Sequence, residues 1–426
     1  MTRFAALREV LVTRDFRRLY SVRLVGQFAD GLVQASLATF VLFSPERQPS
    51  AVKVATAFAI LLLPYSIIGP FAGVLLDRWR RRNVLVYANF IKALGVVPIV
   101  ALIAAGNDGA LLGIAVLAVL GVGRFVLAGL SASLPHVVQG RDLVTANALS
   151  PTSGTIAAAV GAGAGVALRS LVGGGDTGSQ FILMLAAVGF VLAGLIAWRI
   201  AAAALGPSGE RVPDSIIGVI LGFVDGLRAL ARHARPRRAI TVVGVHRIAL
   251  GMLTVDALLL VRNTLNATAD ADRALTQFAI ITAAAASGAL VGAVATPWCS
   301  RRLGTVTWSS ITLIAGGALG GALVLAGAMS VSMPLLLGGA ACFGLIGQSV
   351  KVCADTEIQL GIADDHLGRV FALFDMIVNA ALVLGITLMA ASAPASGQAP
   401  AMICAAGVLL VVTGAWFFTT RHAKGT

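Results

Sequence analysis

Residues 73 to 82 read Gly73-Val74-Leu75-Leu76-Asp77-Arg78-Trp79-Arg80-Arg81-Arg82, a charged hinge between two apolar stretches that are each long enough to cross a bilayer. From Gly292 the chain reads Gly292-Ala293-Val294-Ala295-Thr296-Pro297-Trp298-Cys299-Ser300-Arg301-Arg302, so the spacing of Gly, Trp and terminal Arg returns 219 residues later with Thr296 in the place of Asp77. A hinge that recurs at that interval marks a duplicated chain. The surroundings identify its solvent: of 426 residues 58% are hydrophobic and 12% charged, and the mean hydropathy is +0.91, outside the range of soluble domains. Apolar spans fall at 19–43, 54–76, 83–105, 110–134, 152–172 and 180–204, then at 240–261, 274–298, 305–329, 333–352, 371–393 and 399–420.

A net charge of +13 invites a nucleic-acid reading, and the placement of the basic residues argues against it. They crowd into both tails and alternate loops, while the opposite loops hold only Arg47, Lys53, Arg262 and Arg273. That asymmetry is the positive-inside pattern, which puts both termini in the cytoplasm after an even number of crossings. Trp79, Trp198, Trp298, Trp308 and Trp416 fall at span ends on the same side. Cys299, Cys342, Cys353 and Cys404 form no CxxC pair and read as small buried residues. The polar, Arg-bearing start and the lack of a small-residue cleavage site argue against a removable signal peptide. The strong preference for Arg over Lys, with abundant Ala, Gly and Val, points to a GC-rich bacterial genome and hence to a plasma (inner) membrane.

The longest polar interval, about 206 to 238, divides six spans from six. Within it Ile216, Ile217, Ile220, Phe223, Val224, Leu227 and Leu230 recur at helical spacing, with Arg228, Arg232 and Arg235 near its end, which predicts an amphipathic helix on the inner leaflet. Aligning Arg17-Arg18 with Arg237-Arg238 also matches Gly31 with Gly251, an offset of 220. The expected fold is an all-α membrane protein of twelve transmembrane helices in two pseudo-symmetric six-helix bundles, 1–205 and 239–426, tethered by a cytoplasmic linker at 206–238.

These features resemble the major facilitator superfamily along the whole chain. The hinge matches that family's signature Gly-x-Leu-x-Asp-Arg-x-Gly-Arg-Arg, except that Arg80 replaces the second glycine. Arg80, the run Phe16-Arg17-Arg18-Leu19, the segment from Leu134-Pro135 to Ala146-Asn147, and Gly368-Arg369-Val370-Phe371 resemble the branch of macrolide-type drug exporters, siderophore exporters and lysophospholipid flippases. The resemblance implies alternating access by a secondary transporter, with no enzyme activity, no cofactor and no metal. It also implies a latch: Gly73, Asp77, Arg78, Arg81 and Arg82 would hold one inner-face conformation through acids near span eleven, Asp375 or the pair Asp364 and Asp365. Leu120 and Arg124 keep the spacing of a drug-exporter motif with a proton-relay arginine, although its glycine is displaced to Gly129. Gly161, Gly163 and Gly165 resemble an antiporter signature, but Ala162 and Val166 depart from it, which weakens the antiport reading.

Read residue by residue, the first span holds the sharpest feature. Asp30 sits mid-span, where an ionised side chain costs a few kcal/mol unless it pairs or faces water. Arg23, Gln27, Asp30 and Gln34 share one stripe of that helix, so the stripe must face a cavity or polar partners. Lys92 and Arg124 are the cations expected to compensate Asp30, and Asp30 with Arg124 is the expected proton-coupling pair. In the second half Leu250 stands opposite Asp30 in the repeat register, so the acid is not duplicated. Arg247 and Asp256 lie about 180° apart on their helix and need separate partners or a wet surface. Together with Arg23, Gln27, Gln34, Lys92 and Asn379 they are the expected substrate-cavity residues, while His246 reads as a satisfied polar residue near the inner end of its helix. Lys351 with Asp355, and Asp375 with Asn379, are spaced as gate or packing pairs.

The sequence carries no phosphate-binding loop, paired-His metal motif or nucleophile elbow. The function expected is secondary active, proton-coupled export of amphipathic or hydrophobic small molecules. A lipid or lysolipid flippase and a siderophore exporter are the alternatives, and a non-transporting membrane sensor is a third. The partners expected are a small-molecule or lipid substrate, protons and membrane lipids, with the monomer as the working unit.

Overall fold

A computed structural model describes residues 13–37, 76, 79–107, 109–138, 140–172, 175–206, 216–266, 271–394, 396 and 398–420. These residues form twelve α-helices: α1 (Arg14–Leu37), α2 (Arg81–Ala104), α3 (Ala110–Val137), α4 (Leu143–Val172), α5 (Gly175–Trp198), α6 (Ile216–Arg232), α7 (Ala234–Leu260), α8 (Ala271–Leu303), α9 (Thr305–Ser330), α10 (Met333–Gly361), α11 (Asp364–Ser392) and α12 (Pro400–Thr419). Ten of them are long and apolar enough to cross a membrane. Of the other two, α6 falls inside the expected linker and α1 carries the charged stripe of the first span. The second span, 54–76, lies outside the described residues apart from Leu76, as do the hinge residues Gly73, Asp77 and Arg78.

Several helices outrun the apolar runs that set their expected bounds, and two of them contain a proline near the expected end. Pro151 sits inside α4, which starts at Leu143 rather than 152, and Pro297 sits inside α8, which runs on to Leu303. Membrane helices tolerate proline because neighbouring groups re-satisfy the freed backbone. The second copy of the hinge is therefore helical, and Thr296 is wholly buried. Its Oγ1 donates to the Gly292 carbonyl at 2.6 Å and accepts from Trp308 Nε1 at 3.1 Å, so the position that matches an acid in the first half does packing work here.

The chain divides into two compact units. One comprises 1–44, 63–232 and 362–375, and the other 45–62, 233–361 and 376–426. This partition differs from the linear halves in exchanging two segments, and α11 contributes its first turns to the first unit and its remainder to the second.

Glycine sets how closely helices cross inside each unit. A Cβ on Gly31 of α1 would strike the Ala158 backbone of α4, and one on Gly161 of α4 would strike the Phe28 backbone of α1. The second unit repeats this arrangement: Gly251 of α7 lies on the Leu382 backbone of α11, and Gly385 of α11 on the Ile248 backbone of α7. The Gly31–Gly251 register thus reappears as one packing role in both units, as expected where small residues let membrane helices approach. A further reciprocal pair, Gly288 and Gly344, joins α8 to α10. Outward faces such as Ile91, Leu94 and Val97 of α2 are exposed and apolar, the surface that lipid requires.

Candidate functional site

In the first unit the mid-span acid has found its cation. Lys92 Nζ of α2 lies 2.6 Å from Asp30 Oδ1 of α1, with the lysine side chain 1% exposed and the aspartate 26%. The same ammonium sits 4.0 Å from the centroid of the Phe190 ring of α5, a favourable cation–π contact. Gly123 of α3 leaves room beside it, since a Cβ there would stand 3.5 Å from Nζ. One turn before Lys92, buried Asn89 spends its amide on the Leu85 carbonyl at 2.7 Å. The three helices therefore enclose the ammonium, and only the carboxylate side of the pair reaches accessible space.

The rest of the stripe is unevenly placed. Arg23 is buried, Gln27 and Asp30 are half-buried and Gln34 is exposed. Gly154 of α4 accommodates Arg23 and Gln27, because a Cβ there would collide with both side chains. Arg124 is half-buried on α3.

The described end of the hinge leads into a second polar cluster of the same unit. Arg81 is fully buried, and its Nη1 donates to Asp364 Oδ1 at 2.8 Å and to the Ala132 carbonyl at 3.0 Å. Nη2 donates to the Asp364 carbonyl at 3.0 Å. His136 closes the cluster, with Nδ1 3.4 Å from Arg81 Nη1 and Nε2 3.3 Å from Asp364 Oδ2. Arginine only donates, so this geometry suits a ring that accepts at Nδ1 and carries its proton on Nε2, towards the carboxylate. Gly206 has φ +64° and would collide with His136 if it bore a Cβ; its carbonyl accepts from the Arg81 amide at 3.0 Å. Arg82 donates to the Trp198 carbonyl at 2.8 Å. Of the three acids expected near the hinge, Asp364 is the one found on Arg81. Asp375 lies further along α11, and Asn379, one turn beyond, is 9% exposed.

The second unit contains a cavity of about 490 Å3 lined from α7, α8, α9 and α10. Arg247 and Asp256 both border it, so the half-turn between them on α7 does not separate their surroundings: the space is bounded by several helices and not by one face of α7. Leu250, the register partner of Asp30, also lines it. His246 differs from its sequence reading. Its Nε2 meets the Phe343 carbonyl at 3.0 Å, but Nδ1 has no hydrogen-bond partner among the described residues, and the ring borders the cavity while only 1% exposed. On α10, Lys351 Nζ pairs with Asp355 Oδ2 at 2.6 Å, as the spacing predicts.

Phe190, His136 and Gly206 were not legible as site residues. Each acts across more than fifty residues of sequence on a partner in another helix, and helical periodicity speaks only of one helix at a time. The one available signal was that His136 ends its span on the same expected side as the hinge.

One helical unit holds the Lys92–Asp30 ion pair and the other a polar-ended cavity, and solved structures carry the same fold. The similar chains include a bacterial homologue of the iron transporter ferroportin in its outward-facing state (TM-score 0.67, 18% identity, 95% of this chain and 98% of that one). They also include the human organic anion transporter MFSD10 (0.69, 14%, 94% and 99%) and the E. coli fucose:proton symporter FucP (0.64, 16%, 94% and 98%). Residues 24–381 match the model of the Major Facilitator Superfamily, and the chain belongs to that superfamily. MFS-type transporters of Mycobacterium bovis and Mycobacterium tuberculosis are each 36% identical over 399 residues, which is 93% of this chain and 89% of theirs.

Proposed function

We propose that this transporter exports amphipathic or hydrophobic small molecules across a bacterial plasma membrane in exchange for protons, with Asp30 as the proton-carrying group. The observation that supports this reading is the enclosed Lys92–Asp30 pair at 2.6 Å, whose carboxylate alone is accessible. A proton arriving from the accessible side neutralises Asp30 and frees Lys92; its departure restores the pair. Such a two-state element is what coupling requires, because the proton has different interaction energies in the two arrangements. Arg124, also half-buried in this unit, is kept as the relay that resemblance to drug exporters implies.

In this reading the halves 1–205 and 239–426 rock about the linker, both termini are cytoplasmic, and the monomer is the transporting unit. Arg81 with Asp364 and His136 is the latch of one inner-face state, to which Gly73, Asp77, Arg78 and Arg82 belong by sequence. The flippase alternative relies on Lys92, Arg124 and Arg247 as phosphate holders, and Lys92 already has a carboxylate on it; small-molecule export is therefore preferred to the flippase. The test has two stages. A susceptibility comparison of deletion and overexpression strains identifies a transported compound, and everted vesicles then measure its uptake with and without an imposed pH gradient. Gradient-dependent accumulation is expected, and accumulation indifferent to the gradient refutes proton coupling.

A further inference from the structure

Asp256 lines the second unit's cavity and is 1% exposed. The Ala399 backbone amide, at the head of α12, lies against its carboxyl group, but Oδ1 meets no hydrogen-bond partner among the described residues. His246 repeats this situation at the other end of α7's stretch of wall. Its Nε2 faces a carbonyl, which can only accept, so Nε2 carries the proton and Nδ1 is an acceptor with nothing to accept from. Thr254 offers no donor to either, since its hydroxyl is spent on the Leu250 carbonyl at 2.7 Å. The cavity thus presents two buried acceptors with no donor among the described residues. A buried polar atom left in this state is destabilising, and a ligand bearing the complementary donor removes that penalty.

Charge distinguishes the two ends. Asp256 is the only acid among the described residues of the lining, and the basic side chain Arg247 stands nine residues from it, about 13.5 Å along the helix axis at 1.5 Å per residue. Between them the wall is apolar: Leu250, Leu253, Ile281, Val324, Leu336 and Phe343. A volume of about 490 Å3 falls in the range of small-molecule sites, roughly 300–1,000 Å3.

We infer that this cavity is a binding site for amphipathic molecules that carry a basic nitrogen, with the ammonium on Asp256, the apolar body along α7, α8 and α10, and a neutral hydrogen-bond donor reaching His246. A second cation at the His246 end is disfavoured by Arg247 beside it. This inference rests on the export reading for its biological sense, since it names the substrate class of that transporter.

The experiment measures equilibrium binding to the purified full-length protein in lipid nanodiscs, with no gradient present. The probes are a naphthylalkylamine and the naphthylalkanol of the same chain length, which share an apolar body and differ in the cation. The amine binds more tightly by about tenfold or more, each decade being about 1.4 kcal/mol. Asp256→Asn removes the difference between the probes, Asp256→Glu retains part of it, and His246→Phe weakens both. Equal affinity of the two probes for the wild type, or an amine preference that survives Asp256→Asn, overturns the inference. If Asp256→Asn does not fold, Leu336→Trp fills the wall instead: loss of both probes supports the site, and an undiminished amine preference refutes it. Because binding is read without a gradient, failure of proton-driven export and failure of this substrate class are separate results.

Discussion

Removing one partner of the Lys92–Asp30 pair has a cost that can be worked from its surroundings. Lys92→Met keeps the apolar stem of a side chain that is 1% exposed and deletes an ammonium 2.6 Å from Asp30. A fully buried pair broken from one side loses about 3–5 kcal/mol, most of it the penalty of the abandoned charge. Asp30 is 26% exposed, so water relieves part of that penalty and about 2–3 kcal/mol remains. The lost contact with the Phe190 ring at 4.0 Å adds about 0.5–1 kcal/mol. Asp30→Asn leaves the ammonium of a 1% exposed lysine without its carboxylate and costs about 3 kcal/mol. The double variant Asp30→Asn with Lys92→Met abandons no charge and falls within about 1.5 kcal/mol of the wild type, which leaves a coupling energy of about 4 kcal/mol in a double-mutant cycle. Reversible unfolding in mixed micelles of the four proteins gives that number. A coupling energy under about 0.5 kcal/mol would mean that the two charges do not depend on each other, and the linkage of proton binding to release of Lys92 would have no basis.

Asp364→Asn takes the carboxylate from fully buried Arg81 and removes two charge-assisted contacts; amide hydrogen exchange in the first turns of α11 is expected to rise about tenfold for every 1.4 kcal/mol lost, and unchanged exchange refutes a latch held by this residue. Gly344→Ala pushes a Cβ into the Ala285 backbone and is expected to lower unfolding stability by about 1–3 kcal/mol. Gly163→Ala meets nothing within 4 Å and serves as the control. Its stability should stay level or rise by a few tenths up to about 1 kcal/mol from helix propensity, and equal losses in the two variants contradict the crossing geometry.

Much of the fold was legible because lipid imposes a simple rule: apolar runs of the right length become helices. The repeat was legible as well, and Gly31 and Gly251 carry it from sequence into equal helix crossings. Helix ends were less readable, since α4 begins at Leu143 and α8 ends at Leu303, beyond the apolar runs, and neighbours in a bundle satisfy what Pro151 and Pro297 leave open. In the site, Asp30 and its compensation by Lys92 could be anticipated from the cost of a lone charge in the membrane. Phe190 could not, because an aromatic residue in an apolar helix looks the same whether it faces lipid or an ammonium. His246 looked satisfied because a histidine near a helix end usually finds a carbonyl, and one of its nitrogens did. That the other found no partner among the described residues depends on the cavity, which four helices build together.

The central claim is that Asp30 couples the proton and is not needed merely for substrate movement. Substrate counterflow and gradient-driven accumulation, measured side by side in proteoliposomes of Asp30→Asn, separate the two roles. Counterflow at a rate comparable to wild type, together with loss of pH-driven accumulation, is the result this account requires. Accumulation that persists with its ordinary pH dependence in Asp30→Asn contradicts it.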